Sequence, residues 1–173
     1  MKILKFLTLF CCVFSGCKED NVPPFVAGEV LVVTKAENNM NEVFEFVNSQ
    51  DNSVESILSA VYESSQSGDS LGLILKHINQ KTYTHRDNLL TTGQLNSLSG
   101  QIQIFPKLYQ MNEIANQQDW VELMQNLRCF EVARQKLLLI QVPKGSEREW
   151  IKVYQRHAIV ESAELNYISE VNR

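Results

Sequence analysis

The stretch Lys136–Ile168 constrains the fold most, because it contains a complete strand–helix–strand unit. Lys136–Val142 is an almost unbroken apolar run, which is typical of a strand that is buried on both faces. Pro143 and Gly145 end this strand, since proline has no N–H for the ladder and glycine permits a sharp turn. A helix-period pattern follows, and the alternation of apolar and polar residues over Ala163–Tyr167 predicts a second strand.

The helix of this unit is predicted to begin at Ser146, which would form a capping box with Glu149. Four residues at helical spacing are predicted to form its buried face: Trp150, Val153, Tyr154 and His157. This pattern gives His157 a packing or capping role near the C-terminal end of the helix, where a protonated ring would favour the helix dipole.

A matching set of elements opens the body of the chain. Glu29–Thr34 is apolar on both faces and is predicted to be a central strand. Asn39 is predicted to cap a helix, with Glu42 at the third position. Val54–Glu63 has features of both strand and helix, and we predict a strand. The combined order is strand, helix, strand, strand, helix, strand, so we expect an α+β, ferredoxin-like βαββαβ fold with an antiparallel sheet and two helices on one face.

The middle of the chain, about residues 65–135, is predicted to be a large insertion between the two halves of this fold. Ser70 or Asp69 is predicted to cap its first helix, and Asp119 is predicted to begin its second. Leu89–Asn96 and Gln101–Phe105 are predicted to form a hairpin. We therefore expect residues 28–173 to form a single domain with an α/β-hairpin insertion.

Composition excludes several classes of function. The formal net charge is −4 and no basic cluster is present, which argues against a nucleic-acid partner. The body of the chain contains a single cysteine, Cys129, which cannot form an internal disulfide or a cysteine-based metal site. The three histidines are not at metal-ligand spacing. We therefore predict no catalytic residue, no metal and no cofactor.

Residues 1–16 have the pattern of a signal peptide. Lys2 and Lys5 precede the apolar run Phe6–Val13, which is far shorter than the roughly 20 residues that a membrane span needs. The small residues before Cys17 resemble the lipobox of bacterial lipoproteins. The alternative is an ordinary secretory signal that contains a chance cysteine.

The lipobox resemblance implies that acyl chains on Cys17 anchor the protein to a membrane. The next residues, Lys18, Glu19 and Asp20, resemble the export signal of Bacteroidota lipoproteins that reach the outer face of the outer membrane. We therefore expect a lipid-anchored protein at the cell surface, with residues 17–27 as lipidated cysteine and tether. In the alternative, these charges form a solvated linker and the protein stays on the periplasmic face.

One string in the chain suggests an enzyme. Gly68–Gly72 satisfies G-x-S-x-G and resembles the nucleophile block of the GDSL esterases, with Ser70 as the nucleophile. The segment before it is a polar loop instead of a strand, and no Asp-x-x-His follows near the C-terminus. A helix cap explains Ser70 better, and the hydrolase remains the weaker alternative.

Three motifs lie near the two ends of the body: GEVLVV at Gly28–Val33, VPKG at Val142–Gly145 and VESAELNYI at Val160–Ile168. Together they resemble subtilisin-type protease propeptides and their stand-alone relatives. Leu165 stands where that family often has proline. The resemblance covers roughly half of the body, and the insertion has no counterpart in the usual propeptide.

This resemblance implies a ferredoxin-like domain whose sheet packs on a subtilisin-like protease. The C-terminal tail would enter the substrate cleft as an added strand. In this chain the tail consists of five residues: Ser169, Glu170, Val171, Asn172 and Arg173. The alternative for the tail is a frayed terminus. We therefore expect a non-enzymatic lipoprotein that inhibits or chaperones such a protease, or else an accessory lipoprotein that docks another envelope protein.

Overall fold

The computed structural model describes residues 23–168, which form a mixed α+β fold. The helices in this part of the chain are α1 (Met40–Asn48), α2 (Leu71–Asn79), α3 (Ile114–Asn126) and α4 (Glu147–Tyr154). The strands are β1 (Phe25–Thr34), β2 (Val54–Leu58), β3 (Tyr62–Ser64), β4 (His85–Arg86), β5 (Leu89–Leu90), β6 (Thr92–Leu95), β7 (Ile102–Phe105), β8 (Leu108–Tyr109), β9 (Cys129–Glu131), β10 (Leu137–Gln141) and β11 (Val160–Tyr167).

The first sheet contains five strands in the order β11-β1-β10-β2-β8, and every neighbouring pair is antiparallel. Strand β1 lies between β11 and β10, as expected for a central strand. Val30 and Val32 of β1 and Leu138 and Ile140 of β10 are fully buried. They belong to one hydrophobic cluster that also contains residues of the second sheet described below, so a single core runs through residues 23–168.

The prediction that β1 and β10 are buried on both faces is wrong. Leu31 and Val33 of β1 alternate with the buried valines and are only half-buried, and so are Leu137 and Leu139 of β10. A continuous apolar run thus arises from one buried face and one partly exposed apolar face. Hydrophobicity alone does not distinguish this arrangement from burial on both faces.

Helices α1 and α4 cover the buried face of the first sheet. The predicted capping box of α1 is confirmed, because Asn39 accepts hydrogen bonds from the first turn and the Glu42 carboxylate accepts one from the Asn39 N–H at 2.7 Å. Phe46 of α1 packs edge-to-face on Tyr154 of α4, with ring centroids 6.2 Å apart. His157 also contacts Phe46, at 4.7 Å between centroids, from the turn after α4.

The start of α4 differs from the prediction. Ser146 makes no capping hydrogen bond to the helix; its hydroxyl donates to the carbonyl of Pro143 instead. Glu147 accepts hydrogen bonds from the backbone N–H groups of Gly28, at 2.7 Å, and Gly145, at 3.0 Å. The predicted buried face of α4 is wrong at two positions, because Val153 is 49 % exposed and His157 is exposed and lies beyond the end of the helix at Tyr154. A carboxylate in the first helical turn therefore joins β1, the turn after β10 and α4.

This carboxylate makes stability depend on pH. The backbone N–H groups, led by that of Gly145, lower the pKa of Glu147 below its ordinary value. A group whose pKa is lower in the folded state stabilises the fold above its unfolded pKa of about 4.3, and this contribution is lost as the pH falls through the folded value. Glu147→Gln keeps an acceptor oxygen but removes the charge, so we expect a lower thermal midpoint near neutral pH.

The measurement is the thermal unfolding midpoint of the wild type and Glu147→Gln across the acid range. The gap between them should close as the wild-type carboxylate protonates. Glu149→Gln is the matched control, because Glu149 is exposed in the same turn. A gap that stays constant down to the lowest pH would contradict the role given to the Glu147 charge.

The second sheet has the order β6-β7-β3-β9. The strand predicted over Val54–Glu63 is divided between the two sheets, because Ser59 adopts φ +64° and redirects the chain. The predicted hairpin is confirmed as β6 and β7, and Ile102 and Ile104 of β7 face the core. Its predicted first strand is too long, because Leu89 and Leu90 belong to β5. Strands β4 and β5 form a separate two-stranded ribbon whose turn, Asp87–Asn88, has positive φ at both positions.

Helix α3 begins at Ile114, so the prediction that Asp119 begins it is wrong. Asp119 lies inside the helix and accepts hydrogen bonds from the Lys81 ammonium at 2.7 Å and the Tyr83 hydroxyl at 2.5 Å. These contacts, the Lys81 bond first, lower the pKa of Asp119. The next residue, Trp120, is fully buried, and its indole N–H donates a hydrogen bond to the hydroxyl of Tyr62 at 3.0 Å. Helix α3 is thereby fixed to the second sheet.

Candidate functional site

Several residues predicted to be functional lie outside the described residues. These are the lipid-attachment residue Cys17, the export residues Lys18, Glu19 and Asp20, and the tail Ser169–Arg173. Within residues 23–168, no helix is both long enough and apolar enough to cross a membrane.

Ser70 ends a short 3₁₀ turn, Gly68–Ser70, directly before α2. It therefore occupies the predicted cap position, but its hydroxyl makes no capping hydrogen bond. Within the described part of the chain, no hydrogen bond joins this hydroxyl to a histidine, and Ser70 does not line the cleft of about 800 Å³ described below. The structure thus does not bring a base to Ser70.

The main candidate surface is the face of the first sheet opposite α1 and α4, which we call the free face. Register places its side chains in rows across the strands: Leu31 pairs with Leu139 on one side and Glu164 on the other, and Val33 pairs with Leu137. Five half-buried apolar residues form its centre: Leu31, Val33, Leu58, Leu137 and Leu139. A contiguous apolar sheet face of this kind is typical of a surface that contacts another molecule.

A line of hydrogen-bonded polar side chains, which we call the polar band, borders this apolar centre. Glu29 accepts from the Asn166 amide at 2.6 Å and from the Gln141 amide at 3.3 Å. The Gln141 amide also donates to Glu55, and the guanidinium of Arg86 donates to the other oxygen of Glu55. The polar band therefore crosses β11, β1, β10 and β2 and ends on the ribbon strand β4.

Arg86 favours the ionised form of Glu55. Its hydrogen bond is the largest cause that holds the pKa of Glu55 below the ordinary value, and the Gln141 amide adds to the effect. Glu55 is the extra residue of a β-bulge in β2, since Ser56 pairs with Leu139 while Val54 pairs with Ile140. The bulge aims the carboxylate along the free face, towards Arg86.

Sequence reasoning missed the polar band. Its members lie on five strands and are separated by up to 137 positions along the chain, so no local spacing links them. One weak signal was present. Glu29 lies two residues before Leu31, and Gln141 lies two residues after Leu139, so each is a polar residue on the same side of an otherwise apolar strand. This spacing places polar and apolar side chains on one face.

A cleft of about 800 Å³ opens at the β8 end of the free face, and we call it the sheet-end cleft. Its walls come from the start of β2, the ribbon strand β4, the end of β8 and the side chain of Gln141. Tyr109 and His85 are among the residues that line it, and both are largely shielded from solvent. Burial raises the pKa of the Tyr109 hydroxyl, and the ring Nδ1 of His85 is buried without a hydrogen-bond partner among the described residues.

Comparison with known proteins found no match: no protein-family model, no curated protein and no solved structure resembles this chain significantly.

Proposed function

We propose that this protein is a non-enzymatic, lipid-anchored envelope protein whose free face docks a subtilisin-like protease and inhibits or chaperones it. The observation that carries the proposal is the pairing of the strand order β11-β1-β10-β2 with a partly exposed apolar face on those same strands. Neither feature alone distinguishes a docking domain from an ordinary α+β core.

The strand order supports a ferredoxin-like interpretation of the fold. In that plan the fourth strand lies beside the first, and the third lies between the first and the second. Strands β1, β2, β10 and β11 occupy these positions, with α1 after β1 and α4 after β10. The elements from β3 to β9 then form the insertion, which adds β8 to the outer edge of the same sheet.

The free face supports docking, because its leucines are already desolvated in part and lie on rigid, paired strands. Little side-chain entropy would be lost when a partner covers them. The polar band would form part of the rim of the interface, where hydrogen bonding sets orientation more than affinity. The last described residue, Ile168, donates its N–H to Pro24 at 2.8 Å, so the tail would leave from beside the start of β1.

The anchor belongs to the same proposal. Acylation of Cys17, followed by Lys18-Glu19-Asp20, would hold the domain on the outer membrane, with surface display proposed and the periplasmic face as the alternative. Residues 18–24 would be its tether, because Phe25–Ala27, which the sequence also predicted to be tether, belong to strand β1.

Inhibition kinetics test the proposal. Residues 18–173 and 18–168 are each titrated against bacterial subtilisin-type proteases, with a chymotrypsin-fold protease as the control. We expect micromolar 18–173 to slow peptide hydrolysis by the subtilisin-type enzymes alone. We expect 18–168 to inhibit more weakly, because it lacks the strand that would enter the cleft.

If neither protein slows peptide hydrolysis by the subtilisin-type enzymes, the protease is not the partner. Binding of another envelope protein to the same face would then favour the accessory lipoprotein. Equal inhibition by both proteins would assign the effect to the free face and make the tail irrelevant.

A further inference from the structure

We infer that the groove between α1 and α3 binds an amphipathic helix of a partner protein, with basic residues on both sides of its apolar stripe. We call this site the helix groove. It has two adjoining parts, of about 390 Å³ and 160 Å³, which share Asn41 and Val121. Helix α1 covers the face of the first sheet that is opposite the free face. The inference is therefore independent of the proposed protease partner.

The helix groove follows α1 and α3, which lie side by side and run in opposite directions. Asn48, at the end of α1, exchanges hydrogen bonds of 3.0 Å and 2.7 Å with Gln117 in the first turn of α3. Asn41, in the first turn of α1, lines the groove together with Met124 in the last turn of α3. The groove spans α3 from Ile114 to Met124, which is about 15 Å at 1.5 Å per residue, so it can hold about three turns of another helix.

Most of the surface of the helix groove is apolar. Phe44 and Val121 contribute to it from the two sides, and Ile114 is 59 % exposed at one end. The buried amide of Gln117 has its partners within the protein, since its N–H groups also donate to the carbonyl of Met111 at 2.6 Å. An apolar surface whose buried polar group is already paired favours an apolar occupant.

The walls of the groove favour a helix over an extended segment. Both long walls are α-helices, whose backbone N–H and C=O groups are paired within each helix. Strand β9 reaches only one end of the groove and is three residues long. An extended segment would therefore bury backbone groups without partners, which is costly. A helix pairs its own backbone groups and can lay an apolar stripe into the groove.

The ionised side chains that line the helix groove are all acidic. Glu45 of α1 and Glu122 of α3 are exposed on opposite walls and form no ion pair within residues 23–168. Glu131, at one end, is paired with Lys136. Neither α1 nor α3 contains a lysine or an arginine. Basic residues on both sides of an apolar stripe would each meet a carboxylate, whereas acidic residues there would be repelled.

The test is an amide chemical-shift titration of ¹⁵N-labelled residues 18–173 with four designed peptides of roughly 14 residues, near the shortest length at which isolated helices form. All four have leucines at helical spacing. Three carry lysine, glutamine or glutamate on both sides of the leucine stripe. The fourth is the lysine peptide with two central prolines, which prevent a helix.

We expect the lysine peptide to shift the amides of Glu45, Val121 and Glu122 in a saturable way. Its affinity should be about tenfold higher than that of the glutamine peptide, because the carboxylates on the two walls attract its flanks. The glutamate peptide and the proline peptide should cause no saturable shifts.

Matched variants make the test specific. Glu45→Lys/Glu122→Lys should reverse the preference, so that the glutamate peptide binds more tightly than the lysine peptide. Glu149→Lys, at an exposed residue of α4 that does not line the groove, should keep the wild-type order. Ile114→Ser should weaken binding of the lysine peptide about tenfold by removing an apolar contact. Leu98→Ser, at a residue that is also exposed and lies outside the groove, should not weaken it.

Three results of the titrations would overturn the inference: no binding of the lysine peptide, equal binding of the proline peptide, or the same order of peptides for Glu45→Lys/Glu122→Lys and Glu149→Lys. Sedimentation of the wild type and Ile114→Ser tests the other occupant. A wild-type dimer that Ile114→Ser dissociates would place a second copy of this chain in the groove and would also overturn the inference.

Discussion

Lys136→Met is expected to reduce the free energy of unfolding by about 3 kcal/mol, because it breaks a buried ion pair from one side only. Lys136 is 1 % exposed. Its ammonium lies 2.6 Å from a carboxylate oxygen of Glu131 and donates to the carbonyl of Asn38. The other oxygen of Glu131 accepts from the N–H of Met40 at 2.8 Å. These contacts join the entry of β10, strand β9 and the first turn of α1.

We expect this loss of unfolding free energy to lie at the lower end of the range for broken buried ion pairs. The Glu131 side chain is 18 % exposed, so water can partly solvate the carboxylate that loses its lysine partner. The same change also leaves the Asn38 carbonyl without its ammonium donor. Both penalties act on the folded state alone, so they appear directly in stability.

Urea denaturation of the wild type and three variants checks this result. Lys152→Met is the matched control at an exposed lysine of α4, and it should change stability by less than about 0.5 kcal/mol. The double variant Lys136→Met/Glu131→Gln should recover much of the loss, because the introduced amide can still accept from the N–H of Met40 without carrying a charge. A Lys136→Met protein as stable as Lys152→Met would contradict the account of this pair.

The local elements of this fold could be predicted well from the sequence. The cap at Asn39, the turn at Pro143–Gly145 and the β6–β7 hairpin are all specified by neighbouring residues, and the structure contains each of them. Turn and cap chemistry acts within a few residues, so a single sequence carries the whole signal.

Features set by distant residues could not be predicted. Ser146 and Glu149 have the spacing of a capping box, but Glu147 is the group that reaches the N–H of Gly28, 119 positions away. The free face was missed for the same reason, since Leu31 and Leu139 look buried in sequence and only the packing of α1 and α4 decides which face is covered. Arg86 joins the polar band only because the insertion folds back onto β2.

The second large effect concerns the free face. Leu139→Arg puts a charge at the centre of the apolar surface, between Leu31 and Ser56. If a protease covers this surface, the charge must be desolvated without a partner, and affinity should fall by about 100-fold, or about 2.7 kcal/mol. In the unbound protein the side chain can reach water, since Leu139 is only half-buried, so the fold should persist.

Two further variants separate docking from folding. Leu98→Arg is the matched control, because Leu98 is 97 % exposed at the tip of the β6–β7 hairpin and lies far in sequence from the free face. Glu164→Arg changes an exposed residue in the same row as Leu139 and tests the surface without touching the apolar centre. Thermal midpoints near that of the wild type should accompany all the binding data.

The most direct test of docking through the free face is a calorimetric titration of a catalytically inactivated subtilisin-type protease with residues 18–173. The wild type and Leu98→Arg are predicted to bind with equal affinity, while folded Leu139→Arg should bind about 100-fold more weakly. Equal affinity of Leu139→Arg and Leu98→Arg, or no binding by the wild type, would contradict the account.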